Sequence, residues 1–290
     1  LGQMYFEQHG SRAATPVLMI HGIGCQVVHW PESLLSGLVD SGYRVIVFDN
    51  RDAGLSFSID AEPPEIAQLI VAQNDPTAAT AAYSLSDMAQ DAIHLLNHIG
   101  QSGAHIVGTS MGGMIAQRFA LNHQHRIFSL TTLMSSTGNP DLPPAAPEAV
   151  AALAQAFFLS DRQAVIDATI ATGTTLSGEH FDSREVGIAR FAEIAYDRAV
   201  NPQGTLRQFA AILTDGNRAP LLKELKIPVL AIHGDNDRLL DVKGSEDIVN
   251  SVQNGKLMVI EKLGHDLSEP VIPAMVEAIV EHISTTNPPR

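Results

Sequence analysis

The sequence predicts an α/β protein: a mostly parallel central sheet flanked by helices, with a helical cap inserted between two strands. Two observations carry that expectation. Short β-rich apolar runs alternate with segments of helical periodicity, and one long Pro- and Ala-rich stretch interrupts the alternation before it resumes. Strands that alternate with helices imply right-handed crossovers and a parallel sheet.

The runs Val17–His21, Arg44–Asp49, His105–Gly108 and Ile127–Met134 lack the polar alternation of a half-exposed strand. Continuous apolar strands belong to a sheet covered on both faces. Between them, SDMAQDAIHLLNHI (86–99) places Met88, Ala92, Leu95, Leu96 and Ile99 on one helical stripe. Ser84 or Ser86 can cap its start, and Gly100 stands where a helix end takes a left-handed residue. Beyond residue 227, Val229–His233 and Lys256–Glu261 read as strands. A final amphipathic helix at 270–284 runs through Val271, Met275, Ile279 and Ile283.

Residues 136–222 break the rhythm. Pro140, Pro143, Pro144 and Pro147 open the segment, and PEAVAALAQAFFLSDRQAVIDATIA then reads as Ala-rich helix. Further helical patterns cover about 182–198 and 203–214. The strands on either side need each other to complete one sheet, so the segment reads as an insertion. The expected division is a core of residues 1–137 and 223–290 with a cap at 138–222.

The 290 residues are 45% hydrophobic and 17% charged, and their formal net charge is −14. Such a chain repels polyphosphate and anionic lipid, so neither nucleic acid nor membrane is expected as a partner. Cys25 is the one cysteine, so no intrachain disulfide can form, which suits a cytoplasmic location. The start, LGQMYFEQHG, shows no basic region followed by an apolar run. It begins with leucine, so a trimmed native start leaves secretion open. No stretch approaches the ~18 apolar residues of a membrane helix.

The chemistry points to Gly108-Thr109-Ser110-Met111-Gly112, a G-x-S-x-G pattern that follows an apolar strand and opens a helix. A tight strand-to-helix turn strains the serine backbone, needs small neighbours and aims the hydroxyl outward at a helix N-terminus. The competing reading is a serine that merely caps the helix. A serine nucleophile needs a base, and the base needs an orienting acid. Of twelve histidines, His265 stands out in the loop LGHDLSEP, between a strand and the last helix. The acid falls in DNDR after VLAIHG, which offers Asp235 and Asp237. His94 and His98, one turn apart, lack partners at ligand spacing and read as a solvated helix face. His123 and His125 read as surface loop. DNDRLLD lacks the glycine and terminal glutamate of a calcium loop. No metal and no cofactor are expected.

With these residues in hand, the chain resembles the α/β-hydrolase superfamily over most of its length. The resemblance rests on His21-Gly22-Ile23-Gly24, Asp49-x-Arg51-x-x-Gly54-x-Ser56, the elbow at Ser110, His233-Gly234-x-x-Asp237 and Gly264-His265, in that order. FDNRDAGLS, HGDND, LGHDLSEP and RQFAAILTDGNR are similar to the aclacinomycin methylesterase-like branch of bacterial esterases. The resemblance implies Ser110 as nucleophile, His265 as base and Asp237 as acid, with Asp235 as fallback. It further implies an oxyanion hole from the backbone N–H groups of Ile23 and Met111. His21 and His233 would serve packing, and Asp49 and Arg51 would brace the loop beside the oxyanion turn.

The implied activity is hydrolysis of a small-molecule carboxylic ester through an acyl-enzyme. Neutral His265 as base implies falling activity below about pH 6. Phe157, Phe158, Phe191 and Phe209 are candidate pocket linings, with packing inside the cap as the alternative. The same triad also serves cofactor-free haloperoxidases or perhydrolases, C–C bond hydrolases and acyltransferases, and the fold alone does not choose among them. Serine rather than aspartate at 110 argues against haloalkane dehalogenase and epoxide hydrolase chemistry. A small-molecule receptor on the same fold is the non-enzymatic alternative. The sequence does not specify an oligomeric state.

Overall fold

The computed structural model describes residues 2–73, 75–155, 159, 161–179 and 185–286. Among them, seven strands form one sheet: β1 (Phe6–His9), β2 (Pro16–Ile20), β3 (Arg44–Phe48), β4 (Ala104–Thr109), β5 (Ile127–Leu133), β6 (Val229–Gly234) and β7 (Gly255–Ile260). Their spatial order is β1-β3-β2-β4-β5-β6-β7. β1 pairs antiparallel with β3, and the other neighbours are parallel.

The helices are α1 (Glu32–Asp40), α2 (Ile66–Ala72), α3 (Leu85–His98), α4 (Met111–Asn122), α5 (Pro147–Gln155), α6 (Arg162–Leu176), α7 (Glu185–Arg198), α8 (Pro202–Thr214), α9 (Ala219–Leu222), α10 (Lys243–Asn250) and α11 (Ile272–Ser284). No described helix is long and apolar enough to cross a membrane.

The unbroken apolar strands follow from two-sided burial. Val17, Met19, Val45, Val47 and Val107 join Leu34 and Leu38 of α1 and Met275, Ile279 and Ile283 of α11 on one face. Leu18, Ile20, Ile46, Phe48 and Ile106 pack with α3 and α4 on the other. Every residue of β2 and β3 is buried, so both sides of the pleat contribute to the core. Each such Val, Leu, Ile or Phe is worth about 1.5–3 kcal/mol of transfer free energy.

α3 shows why the local reading succeeded. Ser84 caps it by accepting Asp87 N–H, and Gly100 follows its end at φ 71°. Met88, Ala92, Leu95 and Leu96 are buried, as the stripe predicts.

Other elements departed from expectation. β1 has the sequence FEQH, half-buried throughout, and offers no apolar run to read. The Ala-rich stretch does not run on as one helix, because Asp161 accepts Ala164 N–H and caps a fresh start at α6. α10 was also unanticipated, since KGSEDIVN buries only Gly244, Ser245 and Ile248.

The sheet order positions the site. From β2 the chain passes to β3 on one side, then crosses to β4 on the other side of β2. A crevice opens at the carboxyl ends of strands where the winding reverses. β2 there delivers His21-Gly22-Ile23-Gly24, and β4 delivers Ser110. Between β5 and β6, α5 to α9 form a helical segment that meets the loops after β2, β3 and β7.

Candidate active site

Ser110 is the one residue between β4 and α4, and its backbone sits at φ 54°, ψ −121°. A non-glycine residue held there stores about 1–3 kcal/mol of strain. Four hydrogen bonds hold its backbone in place: Ser110 N–H to Leu133 O (2.9 Å), and to Ser110 O the Ser135 O–H (2.9 Å), the Gly113 N–H (2.9 Å) and the Met114 N–H (3.3 Å). The flanking glycines are demanded by close approach. A Cβ on Gly112 would lie 1.9 Å from Ile20 O, and one on Gly108 would lie 2.2 Å from Gly112 O. Ser110 occupies the N-cap position of α4, yet its side chain makes no capping bond. Its Oγ lies 3.0 Å from His265 Nε2 instead.

His265 Nδ1 lies 2.7 Å from Asp237 Oδ2. The His265 amide donates to Leu176 O at 2.7 Å, which ties its loop to the end of α6. Asp237 is enclosed. Its Oδ1 accepts the amides of Leu239 (2.8 Å) and Leu240 (2.9 Å), and its Oδ2 accepts both imidazoles. Burial opposes its ionisation, but His265 and His233 outweigh that and hold the carboxyl well below the usual carboxylate range. An ionised acceptor puts the proton on His265 Nδ1 and leaves Nε2 free to receive the serine proton. Asp235, the fallback, is elsewhere: its Oδ1 accepts Lys262 N–H at 2.6 Å.

His233 corrects an expectation. It does more than pack: its Nε2 lies 3.1 Å from Asp237 Oδ2 and 2.8 Å from Leu240 O. Both partners are acceptors, so Nε2 carries the proton and Nδ1 accepts from Ser245 O–H at 2.7 Å.

The Gly22–Cys25 turn closes through Cys25 N–H to Gly22 O at 3.3 Å, with Gly24 at φ 66°. It abuts the serine: a Cβ on Gly22 would stand 3.3 Å from Ser110 Cβ and 3.8 Å from its Oγ. Among the described residues, no acceptor is hydrogen-bonded to the Ile23 or Met111 amide. A serine hydroxyl, an oriented imidazole and uncommitted amides beside it can together attack and stabilise a polarised carbonyl. His21 packs on Trp30, 4.3 Å between ring centroids, and burial with the neighbouring His29 lowers its pKa to about 3. Burial pushes the Cys25 thiol up to about 12, which disfavours its thiolate.

Asp49 and Arg51 do brace this region. Asp49 Oδ1 accepts Val27 N–H (2.8 Å) while Arg198 of α7 reaches its Oδ2 (2.7 Å). Arg51 forks onto Asp91 of α3 at 2.6 and 2.8 Å. Sequence reasoning missed two further residues here, Arg207 and Gln208 of α8. Arg207 grips Asp52 in a bidentate pair at 2.8 and 2.7 Å. Gln208 bonds Gly24 and Arg51. They lie in the stretch RQFAAILTDGNR, but nothing in a helical pattern marks a polar residue as a long-range anchor. Of the pocket candidates, Phe157 and Phe158 lie outside the described residues. Phe191 is 41% exposed, and Phe209 packs into a satellite cluster with Leu69, Ala72 and Leu206. Among the described residues, no three His, Cys, Asp or Glu side chains gather to hold a metal.

A family profile for the alpha/beta hydrolase fold matches residues 15–269. A rhodomycin D methylesterase of Streptomyces peucetius is 24% identical over 96% of this chain and 94% of its own. A second one, from Streptomyces sp. strain C5, is 28% identical over 48% of this chain and 41% of its own. A 2-hydroxy-6-oxononadienedioate/2-hydroxy-6-oxononatrienedioate hydrolase of Dechloromonas aromatica is 25% identical over 91% of this chain and 84% of its own. Among solved structures, an esterase of Exiguobacterium antarcticum superposes with TM-score 0.76 at 20% identity, covering 98% of this chain and 96% of that one.

Proposed function

Since the chain belongs to the alpha/beta hydrolase fold family, we propose that it is a serine hydrolase of carboxylic esters that works through an acyl-enzyme. The observation that carries the reading is the unbroken chain Ser110 Oγ to His265 to Asp237, at 3.0 and 2.7 Å, beside the Gly22–Cys25 turn. His265 Nε2 takes the Ser110 proton as Oγ attacks the ester carbonyl. The tetrahedral oxyanion rests on the Ile23 and Met111 amides, and protonated His265 returns its proton to the leaving alcohol. Water, deprotonated by the same imidazole, then releases the acid. Residues 138–222 act as the cap over this site.

A C–C bond hydrolase with the same triad is the second reading, motivated by the Dechloromonas relative. Charge favours the ester. A dienedioate substrate brings two carboxylates, whereas this chain carries a net −14. Arg198, Arg207 and Arg218, three largely buried arginines of this segment, are already bound to Asp49, Asp52 and Asp215. A neutral ester meets no such repulsion.

A fluorophosphonate, followed by peptide mapping, tests the nucleophile. Label on Ser110 is expected, and label elsewhere, or unchanged turnover by Ser110→Ala, would overturn the reading. Turnover of p-nitrophenyl acetate and butyrate, with and without peroxide, separates ester hydrolysis from perhydrolysis. Cleavage of a vinylogous diketone acid at a higher kcat/KM than any ester would favour the second reading.

A further inference from the structure

Gln208 is fully buried on α8, and both ends of its amide are committed. Oε1 accepts the Gly24 N–H at 2.8 Å, and Nε2 donates to the Arg51 carbonyl at 2.7 Å. Gly24 N–H can only donate and a carbonyl can only accept, so a flipped amide would oppose donor to donor and acceptor to acceptor. The side chain therefore has one working orientation.

We propose that Gln208 is a positioning residue of the oxyanion turn: by fixing the Ile23–Gly24 peptide it holds in place the turn whose preceding peptide, Gly22–Ile23, presents the Ile23 amide to Ser110. This rests on the oxyanion role given to Ile23 under the proposed function. The turn does not hold itself. Its closing bond, Cys25 N–H to Gly22 O, is long at 3.3 Å. Gly24, its third residue, has the positive φ of a type II turn. Types I and II share that closing bond and differ by a flip of the central peptide, to which the Gly24 N–H belongs. An acceptor fixed at 2.8 Å on one side of the turn selects between them, and through the shared Ile23 Cα it limits where the preceding peptide, which carries the Ile23 N–H, can settle.

The anchor is itself immobilised. Adjacent Arg207 holds Asp52 at 2.8 and 2.7 Å, and Tyr83 O–H donates to the same carboxylate at 2.8 Å. Asn201, which caps α8, donates to Asp52 O at 3.2 Å. α8 also lies directly on the turn, because a Cβ on Gly24 would stand 3.3 Å from Thr205 Oγ1. A helix outside the sheet thus supplies a part of the site that neither strand loop supplies alone.

Two variants test the proposal. Gln208→Met keeps the volume and removes both bonds. Gln208→Glu keeps the acceptor at Gly24 but sets an oxygen against the Arg51 carbonyl. The readouts are kcat and KM for p-nitrophenyl butyrate and Ki for butaneboronic acid, whose tetrahedral adduct on Ser110 carries an oxygen at the oxyanion position. Loss of a whole oxyanion donor costs ~10²–10³ in turnover, so a loosened one in Gln208→Met is expected to cost about 10- to 100-fold. KM should stay within about 3-fold, with boronate affinity falling in step with kcat. Gln208→Glu should lie between that variant and wild type. A wild-type kcat in folded Gln208→Met, or a raised KM with kcat intact, overturns the positioning role. If Gln208→Met does not melt cooperatively, Gln208→Glu decides: matched losses in kcat and boronate affinity support the role, and wild-type values overturn it. A wild-type chain that neither hydrolyses the ester nor takes fluorophosphonate on Ser110 sinks the underlying function instead.

Discussion

His233 Nε2 lies 3.1 Å from Asp237 Oδ2, the same oxygen that His265 Nδ1 reaches at 2.7 Å. One carboxylate oxygen serves two imidazoles while the other takes two backbone amides, so Asp237 is ionised and immobile. Asp237→Asn would present an amide donor to His265 and favour the wrong tautomer. Its kcat on an ester should fall by about 10³- to 10⁴-fold with KM little changed. Asp235→Asn, which alters only an acceptor for Lys262 N–H, should retain kcat within about 3-fold. Steady-state kinetics on the two variants decide, and the reverse ranking would overturn the assignment of the acid.

Backbone contact at the elbow makes a second prediction. Gly112→Ala would drive a Cβ to 1.9 Å from Ile20 O, a backbone atom that cannot yield without moving β2. Gly22→Ala meets Ser110 Cβ at 3.3 Å, which a small shift relieves. Gly112→Ala should therefore lose about 3 kcal/mol or more, the upper end for overpacked sites, along with activity. Gly22→Ala should keep its fold and lose turnover. Thermal melts paired with kcat would expose the error if Gly112→Ala melted near wild type.

The α6 end offers a contrast within one helical segment. A Cβ on Gly178 would stand 2.0 Å from Lys262 O and 2.3 Å from Gly264 N, in the loop that carries His265. A Cβ on Gly173 comes nearest to Ile188 Cδ1, at 2.9 Å, the tip of a flexible side chain. Gly178→Ala is expected to lower kcat by at least about 10-fold by displacing His265, because small misplacements at a reacting centre cost ~10²-fold. Gly173→Ala should leave kcat unchanged. Equal kcat in both variants would show that the contact with α6 does not position the histidine.

Buried histidines predict a loss of stability in acid. Burial lowers His105 and His282 to about 4 and His21 to about 3, with the His105–His282 repulsion adding to the first. In the unfolded chain each returns to about 6.5. Between these values the unfolded state binds more protons, so stability falls as pH drops from about 6.5 to 4 and is flat above neutrality from these groups. Each shift corresponds to on the order of 3 kcal/mol at full development. His282→Gln can keep the hydrogen bond to Leu130 O, and its Tm should fall less steeply with acid than that of wild type. Parallel Tm–pH curves would refute the linkage.

The Arg207–Asp52 pair predicts strong coupling. Its side chains are 4% and 0% exposed, so removing either partner strands a buried charge. Asp52→Asn and Arg207→Met should each cost about 3–5 kcal/mol, and the double variant far less than their sum. Additive denaturation free energies would mean that the pair contributes no coupling.

Much of this site was legible locally. The elbow declared itself because steric rules act over three residues: Gly108 and Gly112 are obligatory where β4, α4 and β2 backbones touch. The loop positions of Asp237 and His265 followed from strand ends. Spacing left Asp235 and Asp237 open, because two residues in one loop differ in direction rather than in place. β1 was invisible, since FEQH at the sheet edge carries one apolar residue and no run to read. His233 was given a packing role because the motif uses its position at a strand end, and a motif position does not report which groups will stand opposite it.

By itself, the sequence determined the two-faced parallel strands, their alternation with helices, and a strained serine between β4 and α4. These depend on periodicity and on sterics within a few residues. Only the tertiary structure decided which carboxylate oxygen meets His265, that His233 shares it, and that Gln208 reaches Gly24 across 184 positions. Such contacts depend on how distant segments close upon each other. A single polar side chain in a helix carries no local trace of the partner it will meet.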